Sequence, residues 1–184
     1  KPIIIHTMER IDTISEISEV VVVCLPEYES KIEQLRREFC LSKPYIFASA
    51  GKSRQESVLN GLLATKENNV LIHEAARPFV KRNEFLNLGS SPQDNVIMVA
   101  PINYTVLTGK EEVTGVLKRS ELKNVQLPHK FSKDLLLKAH QRAKQDGKKY
   151  TEDASLLFEI SGVSASFISG TPYNLKITDP IDLV

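Results

Sequence analysis

The segment Glu19–Leu25, which reads EVVVVCL, constrains the fold more than any other stretch. Its β-branched residues repeat without an amphipathic period, so neither face is meant for water and the segment reads as a strand covered on both sides. Strands of that kind belong to parallel sheets, where crossover helices cover both faces. The sequence around it keeps the same rhythm. Tyr28, Ile32, Leu35 and Phe39 are spaced as one apolar face of a helix over Glu29–Phe39. Tyr45–Ala48 reads as a short strand. Asn69–His73 (NVLIH) and Val96–Ala100 (VIMVA) read as buried ones. Between them Ser53 and Glu56 form a capping box that opens a helix with Val58 and Leu62 on its inner face. The expectation is an α/β domain with a mostly parallel sheet and right-handed crossovers.

After Pro101 the rhythm changes. Tyr104–Leu107 and Val113–Leu117 flank Thr108-Gly109-Lys110, a hairpin signal that predicts an arm over about residues 102–120 protruding from the domain body. Ser132 is positioned to cap a helix that ends at Gly147, and Thr151 one that ends at Gly162. Val163–Ser169 alternates like a half-buried strand, Asn174–Ile177 reads as a last short strand, and Asp179-Pro180 has the order of a helix start. A length of 184 residues suits one domain carrying this arm.

Charge narrows the partners. Lys+Arg 24 against Asp+Glu 23 leaves a net +1, which calls for neither nucleic acid nor an acidic membrane, so any anion must be held by local placement of cations. No apolar run approaches the roughly 18–20 residues of a membrane span, and no secretory signal is visible. Cys24 and Cys40 lack CxxC partners and read as structural thiols of a reducing compartment, which predicts a cytoplasmic protein. Lys1-Pro2-Ile3-Ile4-Ile5 reads as the middle of a fold, so a segment is expected upstream of Lys1.

In open parallel sheets ligands gather at the carboxyl ends of strands. Two segments lie there. Ala48–Ser57 (ASAGKSRQES) carries small residues from a strand into a capped helix, so that free N–H groups would face a loop able to admit a flat ring or a phosphate. A plain strand-to-helix connection remains the alternative. The second segment, His73-Glu74-Ala75-Ala76-Arg77-Pro78, offers a carboxylate suited to Mg²⁺ or a ribose hydroxyl, with Ala75 and Ala76 letting a ligand approach the backbone. Here the alternative is a local Glu74–Arg77 ion pair. His73 has no second ligand at metal spacing, so zinc is not expected. Arg119 and Lys176 are further cations. Lys176 either points to solvent or enters the cleft as a counter-charge for phosphate.

These residues resemble the 2-C-methyl-D-erythritol 4-phosphate cytidylyltransferases and the related D-ribitol 5-phosphate cytidylyltransferases. The likeness runs in order through Lys1–Thr7, Ser53–Val58, Ile72–Val80, Leu117–Leu122, Val125–Phe131, Thr151–Ser155 and Leu175–Pro180. It implies a Rossmann-like nucleotidyltransferase fold. It further implies a homodimer whose hairpin arms complete each other's sites, and a reaction in which CTP and a polyol phosphate give a CDP-polyol and pyrophosphate with a divalent metal, Mg²⁺. Carried over by position, Gly51, Lys52 and Ser57 cradle cytosine, and Glu74 with Ala75 meets the ribose, Glu74 also meeting the metal. Thr105 and Arg119 reach the acceptor's phosphate across the dimer, and Lys176 supports the transferring phosphate.

The departures bear on the acceptor. The family's glycine-rich loop, with an arginine and a following lysine, would lie upstream of Lys1. Glu74 stands for the usual Asp, Tyr104 for an Asp before the arm threonine, and Leu127 and His129 for the Thr and Gln of a Thr-Pro-Gln turn. Ala75-Ala76-Arg77 and Leu117–Leu122 look more like the methylerythritol branch. The ribitol branch, and a catalytically weakened binding or scaffold domain of the same fold, stand as the alternatives.

Overall fold

The computed structural model describes residues 1–183. Pro2 precedes helix Ile3–Asp12 (α1), which sequence patterning does not announce because Ile3-Ile4-Ile5 is a poor helical run in isolation. Tertiary packing decides it: Ile5 and Met8 are buried with Val22, Ile32 and Leu41 in one cluster. Val20–Cys24 (β1) and Tyr45–Ser49 (β2) pair in parallel around helix Pro26–Glu38 (α2). α2 starts three residues before the expected Glu29, with Pro26 in its first turn and Glu27 and Glu29 complementing the helix dipole. Arg54–Ala64 (α3) follows β2, then Asn69–Ile72 (β3), Arg82–Gly89 (α4) and Val96–Pro101 (β4).

Leu107–Gly109 (β5) and Val113–Val116 (β6) form the hairpin. It begins later than expected: Thr108 and Gly109 are paired rather than turning, with a bulge between them. Gly109 has φ +148, and a Cβ there would sit 1.9 Å from the Glu112 carbonyl oxygen, so glycine is required. Lys123–Ser132 (β7) then crosses the domain, followed by Lys133–Gln145 (α5), Asp153–Ser161 (α6) and Ser166–Ser169 (β8).

The larger sheet has the order β3-β7-β4-β8. β4 and β8 are parallel, and β3 shares their direction because β7 is antiparallel to both of its neighbours. The parallel α/β reading therefore holds for these strands and for β1 and β2, while β7 is the reversed strand. Residues expected to form a turn, Leu127-Pro128-His129, lie inside β7. The proline is tolerated because the β4–β7 register shifts beside it. Leu127 is 3% and His129 0% exposed, so neither side chain faces an open cleft.

Three smaller expectations also change. Ser132 closes β7 and makes no side-chain cap bond. The cap of α6 is Glu152, which accepts from Ala154 N, and not Thr151. Residues 174–177 form no strand; they are extended chain tied by Ile177 N donating to Ala76 O. The main core packs α3, α5 and α6 on the larger sheet through Leu62, Ile97, Phe131, Leu136, Leu156 and Leu157. Each such side chain contributes about 1.5–3 kcal/mol by its burial.

Candidate active site

Three loops leave the carboxyl ends of strands: residues 50–53 after β2, 73–81 after β3 and 170–179 after β8. The first enters α3. Ser53 accepts from Glu56 N at 3.2 Å, as the capping pattern requires, but the Glu56 carboxylate turns back to Lys52 N at 2.8 Å. Ser57 Oγ accepts from Gly51 N and donates to Ser53 O, each at 3.0 Å. Ala50 N donates to Cys24 O at 2.8 Å. The expectation of free N–H groups is therefore corrected: Ser57 and Glu56 in the first turns of α3 reach back to take those of Gly51 and Lys52, and Ala50 N is held by the β1 carbonyl of Cys24. Gly51 is needed for close approach, since a Cβ would lie 2.4 Å from Glu56 Cβ.

Glu74 is the carboxylate of the second loop, and cations surround it. Lys176 Nζ lies 3.2 Å from Oε2, Arg77 Nε 3.5 Å from Oε2, and Arg54 Nε 4.0 Å from Oε1. The local Glu74–Arg77 pair raised from sequence is present, and Lys176 turns toward Glu74 rather than away from the loops. Glu74 Oε2 is enclosed and accepts no hydrogen bond. Among the described residues no group of three or more His, Cys, Asp or Glu gathers as a metal site. Mg²⁺ takes few protein ligands and completes its shell from phosphate and water, so Glu74 could serve it only by turning an oxygen away from Lys176 and Arg77.

The third loop is clamped to the second. Arg77 Nη1 donates to Asn174 O at 2.9 Å, and Ile177 N donates to Ala76 O at 2.8 Å. Asn174 is fully buried and donates to Leu127 O at 2.6 Å. Thr171 bonds to Glu84 and accepts from Gln126. β7, although unforeseen, thus anchors the loop that presents Lys176. Ala75 O accepts from Thr7 of α1 at 2.8 Å, fixing the loop's other side.

Behind Glu74 lies a buried polar group that sequence reading missed. Asp153, 1% exposed, accepts from Arg54 Nη2 at 2.6 Å and sits 3.1 Å from His140 Nε2. Burial alone would push the Asp153 carboxyl up, but His140 and Arg54 outweigh it and hold the pKa below the ordinary value. Glu152 lies 3.1 Å from His129 Nδ1. Its pKa is also lowered, with burial opposed mainly by His129.

Gly51 and Lys52 follow β2 of the two-stranded sheet, Ser57 lies in the second turn of α3, and Glu74, Ala75 and Lys176 lie on loops of the larger sheet; Arg54 spans from α3 to Glu74, and the loop clamp ties Lys176's loop to that of Glu74. Thr105 and Arg119 are not joined to this group. Both are exposed at the arm, where Arg119 Nη1 donates to Asn103 O at 3.3 Å.

The capped small-residue loop and the carboxylate ringed by three cations at the strand ends belong to a nucleotidyltransferase, the class of the relatives that this chain matches over its whole length. Solved structures share the fold. The cytidylyltransferase of Thermus thermophilus aligns with a TM-score of 0.81 and 28% identity over 98% of this chain and 84% of its own. A 4-diphosphocytidyl-2C-methyl-D-erythritol synthase from Anaerococcus prevotii aligns with a TM-score of 0.90 and 24% identity over 100% and 83%. In sequence, 2-C-methyl-D-erythritol 4-phosphate cytidylyltransferases of Bacillus cytotoxicus and Bacillus cereus are 36% and 34% identical, each over the whole chain and 82% of the relative. The family described as IspD, 2-C-methyl-D-erythritol 4-phosphate cytidylyltransferase, matches residues 1–184, and this chain belongs to it.

Proposed function

We propose that this protein transfers the cytidylyl group of CTP to the phosphate of 2-C-methyl-D-erythritol 4-phosphate. An acceptor phosphate oxygen attacks the α-phosphorus in line, the bond to the bridging oxygen breaks, and pyrophosphate leaves. Positioning and charge neutralisation do the work, with no protein nucleophile. The observation that carries the reading is the clamp of the 170–179 loop on the Glu74 loop, which holds the Lys176 ammonium 3.2 Å from Glu74 beside the loop of Gly51, Lys52 and Ser57. The names of the relatives supply the substrates.

Lys176 balances charge on the transferring phosphate, and Ala75 lets the ribose lie against backbone. Glu74 would hold Mg²⁺, which would supply Lewis-acid neutralisation of the triphosphate. With its N–H groups engaged, the Gly51 loop offers carbonyl acceptors, which suit the N4 amine of cytosine and not the O4 acceptor of a uracil ring. Calorimetric titration of the full-length protein should therefore show CTP bound well above UTP, ATP and GTP. Equal binding of ATP would sink the assignment.

Thr105 and Arg119 act on a neighbouring copy in this reading. The arm exposes Tyr104 (81%), Val113 (63%) and Val116 (69%), an apolar surface that an isolated hairpin has no means of covering. A groove of about 400 Å³ between the sheet and α6, edged by Phe158 and Phe167, offers further apolar surface to a second copy. A two-fold dimer is expected. Sedimentation at micromolar concentration should give twice the chain mass, and a monomer there would overturn the assembly. We place the protein in the cytoplasm. In support, Cys24 and Cys40 are free, and among the described residues no helix is long and apolar enough to cross a membrane.

A further inference from the structure

We propose that Asn174 is a positioning residue for the transfer step: its buried amide fixes the register of the 170–179 loop on β7, and so fixes where Lys176 presents its ammonium. This rests on the reading of Lys176 as the charge beside the transferring phosphate. Among residues 171–179 Asn174 is the only buried one, at 0% exposure, while Leu175 next to it is 57% exposed. A loop anchored by burial alone would use an apolar side chain there, because an enclosed amide is unfavourable unless it is bonded. The Asn174 amide is bonded on one side only. Nδ2 donates to Leu127 O at 2.6 Å and lies 3.7 Å from Met98 Sδ, while Oδ1 is enclosed without a partner.

The acceptor is prepared for this bond. Leu127 pairs with no residue of β3 or β4, because it lies where the β4–β7 register shifts, so its carbonyl is left for a side chain. Such a bond does what burial does not. Apolar contact is non-directional and tolerates sliding, whereas one buried polar group selects a register. Register matters because side chains alternate along extended chain, so Asn174 and Lys176 leave the segment on one side and Leu175 on the other. A slip by one residue would turn Lys176 to the side that Leu175 now faces, away from Glu74. The backbone of Asn174 serves the neighbouring loop as well: its O accepts from Arg77 Nη1 at 2.9 Å, and Arg77 Nε lies 3.5 Å from Glu74 Oε2. Beyond Lys176, Ile177 N donates to Ala76 O at 2.8 Å, but any residue in that place supplies an N–H. The amide of Asn174 is the contact that only one register satisfies.

A purely structural role would read differently. If Asn174 only held the loop against the core, its loss would reduce turnover by the same factor whether or not residue 176 carries a charge. A role through Lys176 lowers kcat, leaves the KM for CTP nearly unchanged, and vanishes once the ammonium is gone. The informative variants are N174L, which keeps a buried side chain of similar shape without a donor, and N174A, which removes the amide and adds no bulk.

The experiment is steady-state kinetics on the full-length protein with each variant, alone and in the Lys176→Ala background, alongside thermal melts and hydrogen exchange. Both variants should stay folded yet lose about 100-fold in kcat, the effect of misplacing a reacting group by about 1 Å. The Ile177 amide should exchange faster while the amides of β7 keep their protection. In the K176A background the same changes should add little. Wild-type turnover in either folded variant overturns the inference, as does an equal further loss in the K176A background. Failure of both variants to fold would make Asn174 a core residue of the whole domain, and overturns it too. Wild-type turnover in K176A alone would remove instead the reading of Lys176 on which it rests.

Discussion

Replacing Lys176 by alanine is expected to lower turnover about 100- to 1,000-fold, the range for losing one preorganised stabilising group, while CTP affinity changes little. The asymmetry follows from when the charge is needed. Negative charge concentrates as the bond to pyrophosphate loosens, so an ammonium placed against the phosphate acts more strongly in the transition state than in the bound ground state. The placement is not left to a flexible side chain alone. Asn174 is locked under Leu127 O and Ile177 is tied to Ala76 O, so the backbone on both sides of Lys176 is fixed. Lys176→Arg should recover only part of the loss, since a planar fork does not replace a compact ammonium beside Glu74. Arg119→Ala should behave differently, raising the KM for the acceptor more than it lowers kcat, because Arg119 lies on the exposed arm, away from Glu74. Steady-state kinetics on both variants checks this. Near-normal turnover in Lys176→Ala would mean that its pairing with Glu74 is incidental.

What the sequence made legible was local. The Val20–Cys24 strand, the α3 cap at Ser53 and the Gly162 helix stop, with φ +71, are each decided by residues a few positions apart. α1 was illegible because its triple isoleucine is helical only when Ile5 and Met8 find Val22, Ile32 and Leu41. β7 was hidden by Pro128, which argues against a central strand unless a register shift accommodates it. The site divides in the same way. The loops bearing Gly51 and Glu74 stand out because each follows a recognisable strand. The contacts that organise them span 99 residues from Arg54 to Asp153 and 102 from Glu74 to Lys176. No spacing rule connects such positions. Only the packing of helices and loops in the folded chain does.

Acid should expose one further property of that loop. Between pH 6.5 and about 4 the protein should lose at most about 3 kcal/mol of stability through His73 alone. The ring directly follows β3, meets Phe85 edge-on at 5.2 Å, and has Nε2 3.3 Å from Arg77 O, while Nδ1 is enclosed without a partner. A carbonyl only accepts, so Nε2 carries the proton and the neutral ring is the fitting form. Burial disfavours the imidazolium, with Arg77 and His129 adding repulsion, and together they outweigh the bond to Arg77 O. The pKa falls from 6.5 to about 4. The unfolded chain then binds a proton that the folded chain refuses throughout that window, so stability is complete above pH 6.5 and declines as pH falls toward 4. The carboxyls of Asp153 and Glu152, lowered from 3.8 and 4.5, begin to lose their contribution as pH falls through those values, so above about pH 5 the loss belongs to His73 and not to them. Urea unfolding at a series of pH values should show the slope in the wild type and its absence in His73→Gln, whose amide can still donate to Arg77 O without titrating. Parallel curves for the two proteins would assign the acid sensitivity to other groups.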